Sequence, residues 1–323
     1  MGENGVLLLL MIDATVRVAT PLVLAALAGL FAERSGVVDI GLEGKMLGAS
    51  FAAAAVATVT GSPWLGLVAA VLVSMALSMV HAVACVTYNG NQVVSGMALN
   101  ILMAGLAPTL AFAWFSQGGQ TPMLGPGARF APIVLPFAEA LAPVPVLGAI
   151  YGRISGHNVL VYIAALSVPL VAFVLYRTRF GLRLRAVGEN PQAVDTAGIS
   201  VAGLRYRALL CNGVLCGLSG AYLSIAHGAG FVRDMTAGKG YLALAALIFG
   251  KWRPLPTLLA CLLFAFTDAL QARLQGAVLP GLGAIPVQAI QALPYVLTVL
   301  LLAGFVGKAM APKAIGIPYV KER

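Results

Sequence analysis

Charge is scarce in this chain. Lys, Arg, Asp and Glu make only 10% of its 323 residues, with 11 acids against 20 bases. Soluble domains carry about 25% charged and 45–50% apolar residues, whereas 60% of this sequence is hydrophobic and its mean hydropathy is +0.94. The shortage excludes a soluble globular protein and leaves an integral membrane one. Histidine occurs only as His81, His157 and His227, and cysteine only as Cys85, Cys211, Cys216 and Cys261. These make no CxxC or zinc spacing, and the cysteines lie in apolar runs, which marks them as buried structural residues. No GxxxxGK[ST], GxSxG or HExxH occurs. Gly44-Lys45 and Gly238-Lys239 lack both the upstream glycine and the following Ser or Thr, so the chain has no Walker-type phosphate cradle and little for enzyme chemistry to stand on.

Long apolar runs are what the sequence has in abundance. They lie near 6–32, 37–60, 64–88, 92–115, 157–176, 204–227, 255–272 and 286–305, with a shorter ninth near 238–250. About 20 helical residues cross the roughly 30 Å of bilayer hydrocarbon. The runs are too long and too continuous for barrel strands, so helices must satisfy the backbone within lipid. The expectation is an all-α, polytopic bundle of about nine transmembrane helices (eight to ten), forming one transmembrane domain over 1–323. With nine spans, thirteen of the 20 bases fall on one side, which the positive-inside rule makes cytoplasmic. This orientation accounts for the net charge of +9 without nucleic acid, and it puts the amino terminus outside and the carboxyl terminus inside. The start, Met1 to Gly5, has an acid and no base, so it lacks the positive region of a cleavable signal and the first span is expected to be retained. The Gly- and Pro-rich 116–156 segment is an extracytoplasmic loop whose Phe130, Ile133, Val134, Leu135 and Phe137 are expected to pack on the bundle or meet a partner.

Two short stretches resemble each other. Val38-Asp39-Ile40-Gly41-Leu42-Glu43-Gly44-Lys45-Met46-Leu47 matches Arg233-Asp234-Met235-Thr236-Ala237-Gly238-Lys239-Gly240-Tyr241-Leu242 with one residue fewer before Gly-Lys. In the nine-span topology they enter their helices from opposite sides, as in an inverted repeat with interrupted helices. Gly36, Asp39, Gly41, Glu43, Gly44 and Lys45 are the functional candidates of the first copy, and Asp234, Gly238, Lys239 and Gly240 those of the second. Asp39 and Glu43, four apart, would share a helical face with Lys45 near enough to neutralise one of them, unless a break at Gly36 and Gly41 intervenes. Asn89, Asn91 and Gln92 read as caps, and His81 and His227 as packing residues. The mid-span amides Asn100, Asn212 and Gln291 are candidates for a solute path, since polar groups in lipid face a cavity or a partner. The basic 177–207 segment holds a neutral centre, 189–198. There Asn190 suits a helix cap, Pro191 the first helical position and Gly198 the left-handed residue past the end; Glu189 and Asp195 are its acids.

The Ser35-to-Leu47 stretch, the Arg185-to-Pro191 loop with Ala197-Gly198-Ile199, and the Gly238-to-Trp252 stretch together resemble permease subunits of bacterial ABC importers. The family is the branched-chain amino acid, ribose and nucleoside group, with the closest likeness to its simple-sugar and nucleoside branch, and the resemblance spans about residues 10–305. It implies a bacterial inner-membrane protein working with two cytoplasmic ATPase subunits, an extracytoplasmic solute-binding protein and a second permease, dissimilar or identical. ATP and Mg would sit on the ATPase, with no cofactor in this chain. Residues 189–198 would be the coupling helix that seats in the ATPase and transmits its closure. Relative to ribose permeases the chain lacks a first span. The competing reading is an ion-coupled secondary transporter, which would need a mid-membrane carboxylate from among Asp13, Asp39 and Asp268.

Overall fold

A computed structural model describes residues 3–134, 136, 151–152, 155–274 and 310–321, with isolated positions between 278 and 299. Ten helices are described: α1 (Glu3–Arg34), α2 (Leu42–Thr60), α3 (Pro63–Ala82), α4 (Gln92–Phe115), α5 (Val159–Arg177), α6 (Arg179–Glu189), α7 (Pro191–Thr196), α8 (Val201–Ala221), α9 (Lys239–Phe249) and α10 (Pro254–Leu274). π turns at Val83–Thr87 and Tyr222–His227 extend α3 and α8. Seven of these segments are long and apolar enough to span a membrane, and α9, with 11 residues, is not. They match seven of the apolar runs, and α9 is the short ninth. The 286–305 run lies outside the described residues except at scattered positions. Among the described residues one antiparallel strand pair, Val278–Leu279 with Gly283–Ala284, and an isolated antiparallel bridge between Pro132 and Asn158 depart from the all-helical pattern.

Local chemistry sets the helix starts. Asn91, Asn158, Thr178, Asn190 and Ser200 each accept a backbone N–H from the first turn of α4, α5, α6, α7 and α8. Gln92, expected as a cap, is instead buried, and its Oε1 accepts the Val38 N–H at 2.6 Å.

The centre of the bundle is α1, α2 and α8. Glycines let α8 approach its neighbours closely: a Cβ on Gly213 would lie 2.7 Å from Met75 Cα, on Gly217 2.6 Å from Val71 Cα, and on Gly220 2.4 Å from Met46 O. Between membrane helices this contact replaces the hydrophobic drive that lipid cannot supply. Pro21 interrupts α1 and cannot donate to the carbonyl of Arg17. The Tyr222 hydroxyl donates to that carbonyl at 2.9 Å, so the freed acceptor is paired from α8. An outer layer of α3, α4, α5 and α10 turns Leu72 (60% exposed), Phe112 (61%), Leu166 (67%) and Leu259 (61%) away from the protein, a surface suited to lipid or to an apolar partner.

The two ends of the bundle differ. At one end Arg34 donates to the Trp252 carbonyl, and α6, α7 and the 310–321 tail gather around it; this is the arginine-rich end. At the other, the 121–130 strip pairs its backbone with 225–231: Thr121 N–H to Phe231 O at 3.0 Å, Leu124 N–H to Ala229 O at 2.9 Å and Phe130 N–H to Ile225 O at 2.9 Å. Phe130 is buried and meets Trp64 edge-on, as expected, whereas Ile133 and Val134 are exposed. Leu135 and Phe137 lie outside the described residues.

Gly220→Val forces backbone apart at the α2–α8 contact, where overpacking costs about 1–3 kcal/mol. It is expected to lower the melting temperature of the detergent-solubilised protein. Gly105→Val, where a Cβ meets nothing within 4 Å, should leave it nearly unchanged, and equal melting of the two variants would contradict the close packing.

Candidate functional site

Two interrupted helices meet inside the bundle. The chain leaves α1 at Arg34 and runs without helix until Leu42 opens α2. The second interruption follows the Tyr222–His227 turn: residues 228–238 fold back into the bundle, turning left-handed at Asp234 (φ 54°), Ala237 (φ 47°) and Gly238 (φ 79°), and α9 begins at Lys239. Eleven residues of α9 span about 16 Å, so its start lies about half a bilayer from the arginine-rich end. From this level α9 descends to Trp252, beside Arg34, while α2 rises toward the opposite end, where Gly66 just beyond it packs on Ala53 and Ile225. The starts of α2 and α9 therefore face each other, and the two repeat copies are in direct contact.

Glu43 joins them. From the first turn of α2 its Oε1 accepts the Gly238 N–H at 2.8 Å and its Oε2 the Gly240 N–H at 2.6 Å. Each helix start carries about half a positive charge, so two starts brought together repel until an anion sits between them. Gly240 admits this approach because a Cβ there would lie 2.5 Å from Glu43 N, and Gly44 packs as tightly on α4, where a Cβ would lie 2.6 Å from Leu99 O. Asn100 completes the junction. Its Oδ1 accepts the Gly44 N–H at 2.8 Å, and its Nδ2 donates to Ile40 O at 3.0 Å and to the Tyr241 hydroxyl at 2.9 Å.

Asp39 and Glu43 do not share a helical face, because the helix begins only at Leu42. Asp39, in the interruption, turns inward to Lys45: Nζ lies 2.6 Å from Oδ2, and both side chains are fully buried. The Lys45 ammonium also donates to Asn212 Oδ1 at 3.0 Å, and Ser78 Oγ donates to the same oxygen at 3.1 Å. Asp39 Oδ1 accepts the Gly41 N–H at 3.2 Å. His81 stands 3.0 Å from Val38 O and 2.9 Å from Ser95 Oγ, and His227 stacks on Tyr222. The pair is thus enclosed by hydrogen bonds, as a buried charge requires.

Of the amides singled out from sequence, Asn212 is buried within this network, Asn100 lines a cavity of about 330 Å³ at the junction, and Gln291 lies outside the described residues. Glu43, Met97, Asp234, Thr236 and Tyr241 share that lining with Asn100. Asp13 pairs with Arg17 near the other end of α1.

At the arginine-rich end, Asn190 Oδ1 accepts the Ala193 N–H at 3.1 Å, Pro191 opens α7, and Gly198 (φ 76°) takes the left-handed position. The helix is shorter than 189–198, since Asn190 is extended (φ −151°, ψ 91°) and Glu189 closes α6 instead. Val194 anchors α7 in a small core of Val187, Val201 and Leu204 with Tyr319, while Gln192, Ala193 and Thr196 face outward. The tail laps over this base: Ala314 N–H donates to Gly188 O at 2.8 Å, Gly316 N–H to Gly36 O at 3.0 Å, and Lys321 pairs with Asp195 at 3.4 Å. Buried Arg205 ties the first interruption to the tail, with Nε on Ser35 O at 3.2 Å and Nη2 on Ile317 O at 3.3 Å. Sequence reasoning missed α6, whose signal was Thr178 as cap with Leu184 and Val187 spaced on one face among arginines.

A family model described as "Branched-chain amino acid transport system / permease component" matches residues 11–303. The chain is 38% identical to "Guanosine ABC transporter permease protein NupQ" of Bacillus subtilis, over 98% of each protein. It is 37% identical to "Nucleoside ABC transporter permease protein NupC" of Lactococcus lactis, over 94% of this chain and 95% of the relative. A second Bacillus subtilis protein, "Guanosine ABC transporter permease protein NupP", is 26% identical over 78% of this chain and 71% of its own length.

Lys45→Met strands the Asp39 carboxylate in the interior, a loss of about 3–5 kcal/mol. The double variant Asp39→Leu/Lys45→Met removes both charges and is expected to recover much of the lost thermal stability. A double variant that melts no higher than Lys45→Met would argue against an enclosed ion pair.

Proposed function

The chain belongs to the family of branched-chain amino acid transport system permease components, and on that premise we propose that it forms the translocation path for a nucleoside in an ATP-driven importer. The observation that carries this reading is the head-to-head meeting of α2 and α9 at mid-bundle, beside a cavity of about 330 Å³. Interrupted helices expose backbone and helix starts to a solute at the membrane midplane. Around the cavity Asn100, Asp234, Thr236 and Tyr241 offer polar groups to a ribose or base edge, and Met97 and Ile101 an apolar wall for a ring. The names of two relatives matched over nearly their whole length support the solute class.

A second permease closes the path from the other side. Two Bacillus subtilis relatives that share the guanosine name, one 38% and the other 26% identical to this chain, support a paralogous partner over a second copy of this chain. The arginine-rich end is cytoplasmic by the positive-inside rule. There α7, held below by Val194 and exposed above, seats in a separate ATPase subunit that supplies ATP and Mg. A solute-binding protein delivers the nucleoside at the opposite end of a bacterial inner-membrane assembly.

Reconstitution with the partner permease, ATPase and binding protein tests the reading: guanosine uptake should require ATP and resist excess ribose. Uptake that persists without ATP and collapses when the proton gradient is dissipated would overturn it in favour of ion coupling. Gly198→Val strains a left-handed residue by about 1–2 kcal/mol. It is expected to cut transport several-fold while ATP hydrolysis continues, and unchanged coupling would exclude the end of α7 from transmission.

A further inference from the structure

A second cavity lies at the end opposite the arginine-rich loops and shares no lining residue with the junction. Its volume is about 490 Å³, and Arg17, Arg129, His157, His227 and Tyr222 contribute to its wall. Arg17 is seventeen residues, about 25 Å along α1, from Arg34. Two arginines so spaced bracket most of the roughly 30 Å of hydrocarbon, which sets this cavity close to the membrane–water boundary.

Its electrostatics are one-sided. Among the described residues Asp13 is the acid beside it, and Asp13 is already engaged by Arg17 and lies 3.6 Å from His157 Nε2. The Tyr222 hydroxyl is spent on the Arg17 carbonyl. Arg129 is left over: its Nε is buried without a hydrogen-bond partner, and among the described residues no acid pairs with it. A guanidinium stays charged and offers five donors in a planar fork. A charged group with a buried donor unmatched is costly unless a ligand supplies the acceptor. The start of α5, capped by Asn158 in the same wall, adds its positive end.

We propose that this cavity is an oxyanion site that takes a phosphate group, with Arg129 as the principal ligand and Arg17 and the start of α5 in support. Arg binds phosphate in a bidentate fork, and the volume leaves room for more than the bare ion. The phosphate can come from the headgroup of an anionic lipid or from free phosphate in solution.

The test measures melting of the full-length, detergent-solubilised chain at constant ionic strength. The probes are inorganic phosphate and, separately, micelles doped with phosphatidylglycerol against phosphatidylcholine. A ligand that binds the folded state raises the melting temperature. A rise with phosphate assigns the free ion, and a rise with phosphatidylglycerol alone assigns the headgroup. Arg129→Gln should lose most of either rise and Arg129→Lys only part of it; if the glutamine variant does not fold, the lysine variant carries the comparison. No rise with either probe, or a rise that both Arg129 variants keep in full, would overturn the proposal.

Discussion

One carboxylate shared by two helix starts holds the middle of this protein together. Without Glu43, the first turns of α2 and α9 would confront each other with like partial charges, and the Gly238 and Gly240 amides would lose their acceptor. Everything that makes the junction compact follows from satisfying that constraint. Glycines at 44 and 240 bring backbones within reach, Asn100 spans three elements, and the Asp39–Lys45 pair fills the space behind.

The junction is also mechanically continuous with the arginine-rich end. α9 is a short strut: at its start Gly240 is held by Glu43, and just past its finish the Trp252 carbonyl is held by Arg34 and the Trp252 indole donates to Glu33 at 2.5 Å. Lys251 and Trp252 are both left-handed (φ 52°), a conformation that costs non-glycine residues energy and persists only where surroundings dictate it. The same Arg34 lies under Gly188, whose Cβ would come 2.3 Å from the Arg34 carbonyl. Side chains and tight turns therefore connect the base of α6 and α7 to mid-bundle without a flexible link.

Much of this was legible in the chain itself. Seven of the spans were plain from uninterrupted apolar runs, and Asn190, Pro191 and Gly198 marked the ends of α7 because capping is local chemistry. The likeness of the two repeat copies located both interruptions. What could not be read was which groups meet across the bundle. Spacing put Asp39 and Glu43 together, but a helix that starts three residues after Asp39 sends one inward and the other to α9. Asn212 looked like a free mid-span amide, yet Lys45 and Ser78 come to it from two other helices. The tail from 310 had too little periodicity to announce itself, since its order is borrowed through Gly36, Gly188 and Arg205.

That tail has a practical side for anyone handling the protein. Lys321 ends beside Asp195 at the edge of α7, along a groove of about 310 Å³ that also includes Gly198 and Tyr319. A purification handle or fluorescent fusion attached after it would emerge against the face that α7 presents, crowding any subunit that seats there.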